Sequence, residues 1–170
     1  MARHVALLRA VNVGGTGKLP MADLKQLCAA AGFTNVRTYL ASGNAVFDCG
    51  LSATGVKGLL ETALRTYAGK PVGVMVRNGA ELAVVLAENP FPGAAPNRTV
   101  AIFLDSPPPA DTIAHVVGQN GEQIALGVRE IYVHYGDGMA DSKLRIPAAK
   151  AGTARNMNTV AALAELAGPA

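Results

Sequence analysis

The sequence predicts an α+β fold, and three observations carry the prediction. The run Val5-Ala6-Leu7-Leu8 has no polar face, which marks a strand buried on both sides and hence central in its sheet. Two later stretches place apolar residues at helical spacing: Leu24, Leu27, Cys28 and Ala31, then Val56, Leu59, Leu60, Ala63, Leu64 and Tyr67. Between them, two short runs rich in strand formers flank Ala41-Ser42-Gly43-Asn44, which has the size and residue types of a hairpin turn. With a further strand at Val72 to Val76 the order becomes strand, helix, strand, strand, helix, strand. That is the split order of ferredoxin-like (βαββαβ) domains.

Each element has its own signals. The first strand spans Val5 to Val11 and ends at Asn12-Val13-Gly14-Gly15. A helix follows over about 20 to 31, with Pro20 suited to its first turn and Gly32 to its end. Val36 to Leu40 and Ala45 to Asp48 are expected as antiparallel neighbours across the hairpin. The second helix takes Ser52 as its cap and closes at Gly69.

The second half has weaker signals. A helix is expected at 79 to 88, then a turn-rich Asn89-Pro90-Phe91-Pro92-Gly93 segment and a strand from Thr99 to Leu104. Pro107-Pro108-Pro109 breaks the chain. A helix near 110 to 118, strands near 122 to 126 and 129 to 135, a loop-rich stretch and a final helix from Asn158 to Ala167 complete it. The expected organisation is a ferredoxin-like domain at 1–88 and a second, related α+β subdomain at 89–170 packed on the first.

Composition restricts function. With 50% apolar and 16% charged residues the chain has a core to bury, which excludes a disordered class. The net charge of +3 would favour an anionic partner, but the basic residues are scattered, so nucleic acid is only weakly indicated. No apolar stretch approaches the ~20 residues that span a membrane. The start, Met1-Ala2-Arg3-His4 and a short apolar run, lacks a signal peptide's length and cleavage site; a cytoplasmic location is expected. Cys28 and Cys49 form no zinc or redox spacing and read as reduced, buried thiols.

The chemistry is expected at the exit of the first strand, Arg9 to Lys18. Three glycines in four positions, Gly14, Gly15 and Gly17, let backbone N–H groups converge, and the next helix adds its positive end. In the split order this exit meets the hairpin, bringing Arg9, Asn12, Gly14, Gly15 and Lys18 beside Ser42, Gly43 and Asn44. Arg37 or Tyr39 flanks them according to the sheet face each takes. The expected partner is an anionic or phosphorylated small molecule, with Arg9 and Lys18 supplying charge and Asn12 and Asn44 orienting it. A nucleotide-hydrolase loop is excluded, since Asn12 stands where Gly is required and Leu19 where Ser or Thr is. The dinucleotide pattern fails at Pro20.

A second polar run, Gly152 to Thr159, precedes the last helix. Asn156 or Asn158 suits its cap, and Arg155 with the other Asn is a candidate for the same polar site. Ser142-Lys143 is a charged loop before it is a nucleophile pair. His4, His115 and His134 show no ligand spacing, so no metal, cofactor or triad is expected. The alternatives are a nucleic-acid-binding module, which lacks the sheet-face aromatics of single-strand readers, and a protein-interaction or dimerisation module, with a monomer or homodimer both open.

The ordered motifs Leu7-Leu8-Arg9-x-x-Asn12-Val13-Gly14-Gly15, Pro20-Met21-x-x-Leu24, Gly32-Phe33-x-x-Val36-Arg37-Thr38-Tyr39 and Ser42-Gly43-Asn44-x-x-Phe47 resemble the bacterial family called domain of unknown function 1697. Asn89-Pro90-Phe91, Ser142-Lys143-Leu144 and Thr153-x-Arg155-Asn156-x-Asn158-Thr159-Val160 extend the resemblance. It implies an α/β protein built on ferredoxin-like units, of unsettled activity. Met157 stands where that family usually has Trp.

Overall fold

The computed structural model describes residues 1–13 and 18–168. Along them run β1 (Ala2–Leu8), α1 (Met21–Ala30), β2 (Thr34–Thr38), β3 (Asn44–Cys49), α2 (Ala53–Ala68), β4 (Val74–Arg77) and α3 (Gly79–Ala87). There follow β5 (Thr99–Phe103), β6 (Gln123–Leu126), β7 (Glu130–His134), β8 (Thr153–Asn156) and α4 (Met157–Ala167). The strands form two four-stranded antiparallel sheets, ordered β2-β3-β1-β4 and β6-β7-β5-β8, so the chain is mixed α+β. It divides into two units, Met1–Leu82 with Leu163–Ala170, and Ala83–Ala162. Among the described residues no helix is long and apolar enough to cross a membrane.

In the first unit β1 is central, and Val5 through Leu8 are all 0% exposed, as a run without a polar face requires. Its register pairs Leu7 with Asn44 of β3 and Leu8 with Val74 of β4. The exit of β1 therefore lies between the first residues of both neighbours. The strand stops at Leu8, three residues earlier than the apolar run suggests, because Ala10 (φ 55) and Asn12 (φ 57) take left-handed conformations that no strand accommodates.

One face of this sheet packs Ala6, Leu8, Phe47 and Val76 against Leu24 and Cys28 of α1 and Val56, Leu60 and Leu64 of α2. Phe33 stacks on Phe47 with ring centroids 4.2 Å apart. The helix spacing in the sequence has its cause here. α2 starts where Ser52 Oγ accepts from Gly55 N at 3.2 Å and stops at Gly69, whose φ of 73 closes the helix. The edge strand β4 does not present all its polar groups to water: Val74 N donates to Glu61 Oε2 at 2.9 Å and Val74 O accepts from Lys57 Nζ at 2.6 Å. Across the inner strand β3, Asp48 accepts from Arg3 of β1 and from Asn35 of the other edge strand, β2, and these bonds hold its carboxyl below the usual carboxylate range. A lowered carboxylate stabilises the fold above its unfolded range and loses that contribution as pH falls through the folded value.

Cys28 is 0% exposed, and burial pushes its thiol up to about 12. It is expected to resist a maleimide at pH 8 in the native protein and to react fully in denaturant. Mass spectrometry after timed labelling checks this; rapid native labelling at Cys28 would contradict the packing described.

In the second unit β5 is central, paired with β7 and β8. Two expectations differ from what is observed. The helix expected at 110 to 118 is a single 3-10 turn, Thr112–His115, whose first residue donates through Thr112 Oγ1 to Pro109 O. The stretch expected to be loop contains β8, whose short sequence Thr-Ala-Arg-Asn carries no apolar alternation and forms an edge through its pairing with β5.

Candidate functional site

The β1 exit and the β2–β3 hairpin are tied together. Leu8 N donates to Gly43 O at 2.9 Å, and Asn12 Nδ2 donates to Ala41 O at 2.7 Å. The Asn12 amide also donates to Leu19 O at 2.8 Å, while Asn12 Oδ1 accepts from Leu19 N at 2.6 Å. One side chain thus closes the loop's two ends on each other and fastens both to the hairpin. Asn44 is 0% exposed; its Nδ2 donates to Tyr39 O at 2.6 Å and to Ser42 Oγ at 2.9 Å. Gly43, at φ 92, has no room for a Cβ, which would sit 2.7 Å from Val11 Cγ2 and 3.0 Å from Leu8 Cβ. Arg37 is exposed on the edge strand β2, and Tyr39 is half-buried beside the turn. Gly14 and Gly15 lie outside the described residues.

On the other flank of the exit, Arg9 N donates to Gly73 O at 2.9 Å. There the structure holds a cavity of about 640 Å³. Arg9 and Lys18 line it, joined by Lys70 from the turn between α2 and β4. Val11, Leu19, Leu64 and Val72 supply apolar wall, and Tyr67 stands at the end of α2. Among the described lining residues there is no carboxylate. The Tyr67 hydroxyl donates to Asp23 Oδ2 at 2.6 Å, a bond that raises its pKa and fastens the end of α2 to the start of α1. The left-handed residues Ala10 and Asn12 cost about 1 kcal/mol or more each, and such strain concentrates at functional surfaces.

A family model described as "Protein of unknown function (DUF1697)" matches residues 1–132. The chain belongs to this family. Within the DUF1697 member described here, that match contains the whole cavity and stops before Ser142 and Arg155. Among solved structures, the chain resembles the conserved bacterial protein SP0830 from Streptococcus pneumoniae, with 20% sequence identity, a TM-score of 0.78 and 98% of each chain covered. At that identity the likeness shows the fold. No curated protein matches the chain.

The C-terminal candidates of this DUF1697 protein lie in the second unit. Asn156 Oδ1 accepts from Thr159 N at 2.9 Å, which makes Asn156 the cap of α4, while Asn158 is exposed. Arg155 is 6% exposed and donates to Thr153 Oγ1 at 2.7 Å and to Ala154 O at 2.9 Å; burial lowers its pKa to about 10. Ser142 Oγ donates to Glu122, which also accepts from Asn120 N. Ser142 is thereby a fastener of its loop, and those bonds hold the Glu122 carboxyl below its usual range. The histidines have separate partners: Leu51 O for His4, Asp111 for His115 and Thr99 for His134.

Of the cavity lining, Lys70 belongs to no sequence motif, and Leu64 and Tyr67 read from sequence only as part of the α2 stripe. The topological argument that brings the hairpin to the β1 exit applies equally to β4, since β1 lies between β3 and β4. The polar turn Gly69-Lys70-Pro71 ahead of β4 was the available signal.

Proposed function

We propose that the first unit binds an anionic small molecule, a phosphate ester or a related acid, in the cavity beside the β1 exit. The observation that carries this is the convergence of Arg9, Lys18 and Lys70, from three separate segments, on one cavity of about 640 Å³. That volume falls within the ~300–1,000 Å³ usual for small-molecule sites. Asn12, Asn44 and Gly43 act by holding the turns in place. Underlying this reading is a ferredoxin-like first unit, supported by the strand order β2-β3-β1-β4. A reducing, cytoplasmic setting suits the two buried free thiols. The nucleic-acid alternative finds less support, because the central strands β1 and β3 bury both faces of Val5 to Leu8 and Asn44 to Phe47, which leaves no stacking platform there.

Glycerol 2-phosphate at a hundredfold excess over its Kd is expected to stabilise the protein by about 2.7 kcal/mol. At one fixed ligand concentration the gain should grow from pH 5.5 to pH 7.5, as a phosphate monoester loses its second proton near pH ~6. Arg9→Ala or Lys70→Ala should remove most of it while leaving the ligand-free Tm within a few degrees. Equal stabilisation of the native chain and both variants, read by thermal denaturation, would overturn the assignment.

A further inference from the structure

The wall of the cavity bears on the class of ligand, and the inference rests on the anion-binding reading above. A bare oxyanion needs cations and hydrogen-bond donors, and gains nothing from hydrocarbon. Yet Val11, Leu19, Leu64 and Val72, each at most 9% exposed and each part of the first unit's core, reach the cavity surface. Tyr67 is 43% exposed, and its hydroxyl is held by Asp23 at 2.6 Å. That bond restrains the ring, so a ligand lying against it loses less freedom than one ordering a loose side chain. Ligand sites of this size are mostly apolar, with a few polar groups that fix orientation.

We infer that the ligand is an amphiphile: a phosphate or similar acid group held by Arg9, Lys18 and Lys70, joined to a ring-sized apolar body seated against Tyr67 and the Leu19, Leu64 and Val72 surface. The acid group sets where the molecule binds, and the apolar body distinguishes it from the phosphate and small phosphorylated acids that any basic site attracts.

Calorimetric titration of the full chain with inorganic phosphate, 1-naphthyl phosphate and 1-naphthol tests this. The Kd is expected to fall at least tenfold from inorganic phosphate to 1-naphthyl phosphate. Tyr67→Ala should lose most of that gain, Tyr67→Phe should keep most of it with a smaller loss from the freed ring, and inorganic phosphate should bind all three proteins alike. The Phe variant lacks the bond to Asp23 but retains the ring, which separates loss of the wall from loss of the fastening. Equal affinities for inorganic phosphate and 1-naphthyl phosphate, or a gain that survives Tyr67→Ala, would overturn the amphiphile and leave the anion reading in place. Binding of neither phosphate, or of 1-naphthol as tightly as its phosphate, would overturn both.

Discussion

Gly43→Ala is expected to destabilise the protein by about 2–4 kcal/mol. Two costs combine. The backbone at φ 92 disfavours any residue with a Cβ, and the added methyl would lie 2.7 Å from Val11 Cγ2 and 3.0 Å from Leu8 Cβ. Neither neighbour can give way easily, since Leu8 is 0% exposed in the central strand and Val11 belongs to the same core. Gly32→Ala separates the two costs, because Gly32 has nearly the same φ of 91 with nothing within 4 Å of the new Cβ. It should lose only about 1 kcal/mol. Urea denaturation followed by circular dichroism gives both values. Comparable losses in the two variants would mean that the hairpin does not press on the β1 exit as described.

Asn12→Ala is expected to cost about 3 kcal/mol. It deletes three hydrogen bonds at about 1 kcal/mol each and places alanine at φ 57, while partial access of water to the abandoned groups limits the loss. Asn12→Gly relieves the backbone cost and should recover about 1 kcal/mol of it. Asn12→Asp keeps an acceptor for Leu19 N but faces the carbonyls of Leu19 and Ala41 with negative charge, so it should be no better than alanine. Although Asn12 is not among the described lining residues, its loss frees Lys18 and Leu19, which are. Affinity for glycerol 2-phosphate should therefore drop about tenfold in each variant, a positioning cost of about 1.4 kcal/mol. Full affinity in a destabilised Asn12→Ala protein would show that the loop's closure and the cavity are independent.

How far the sequence revealed this arrangement depended on whether the deciding force was local. Apolar periodicity located α1 and α2 to within a residue or two, since α1 buries Leu24 and Cys28 and α2 buries Val56, Leu60 and Leu64, although Leu59 and Tyr67 of the expected stripe stay exposed. The burial of Val5 to Leu8 likewise follows from a run without a polar face. The end of β1 was less legible: nothing in the sequence marks Ala10 for a left-handed conformation. β8 was hidden for a related reason, because Thr153 to Asn156 is a strand only through its pairing with β5. At the site itself, the charged members Arg9 and Lys18 were visible in the glycine-rich exit. Asn12 and Asn44 attracted notice as polar groups, but residue type alone does not separate a side chain that meets a ligand from one that fastens two turns. Lys70 became visible only once β4 was placed beside β1.

The central claim is that one cavity gathers an anion onto three cations. Crystals grown or soaked with tungstate, a heavy oxyanion visible by its anomalous scattering, test it most directly. The account predicts the strongest anomalous peak within about 4 Å of the Arg9, Lys18 and Lys70 side chains, the range of a direct charge-assisted contact. That peak should be lost or displaced in crystals of Arg9→Ala. A strong peak elsewhere on the protein with none in the cavity, or one unaffected by Arg9→Ala, would contradict it.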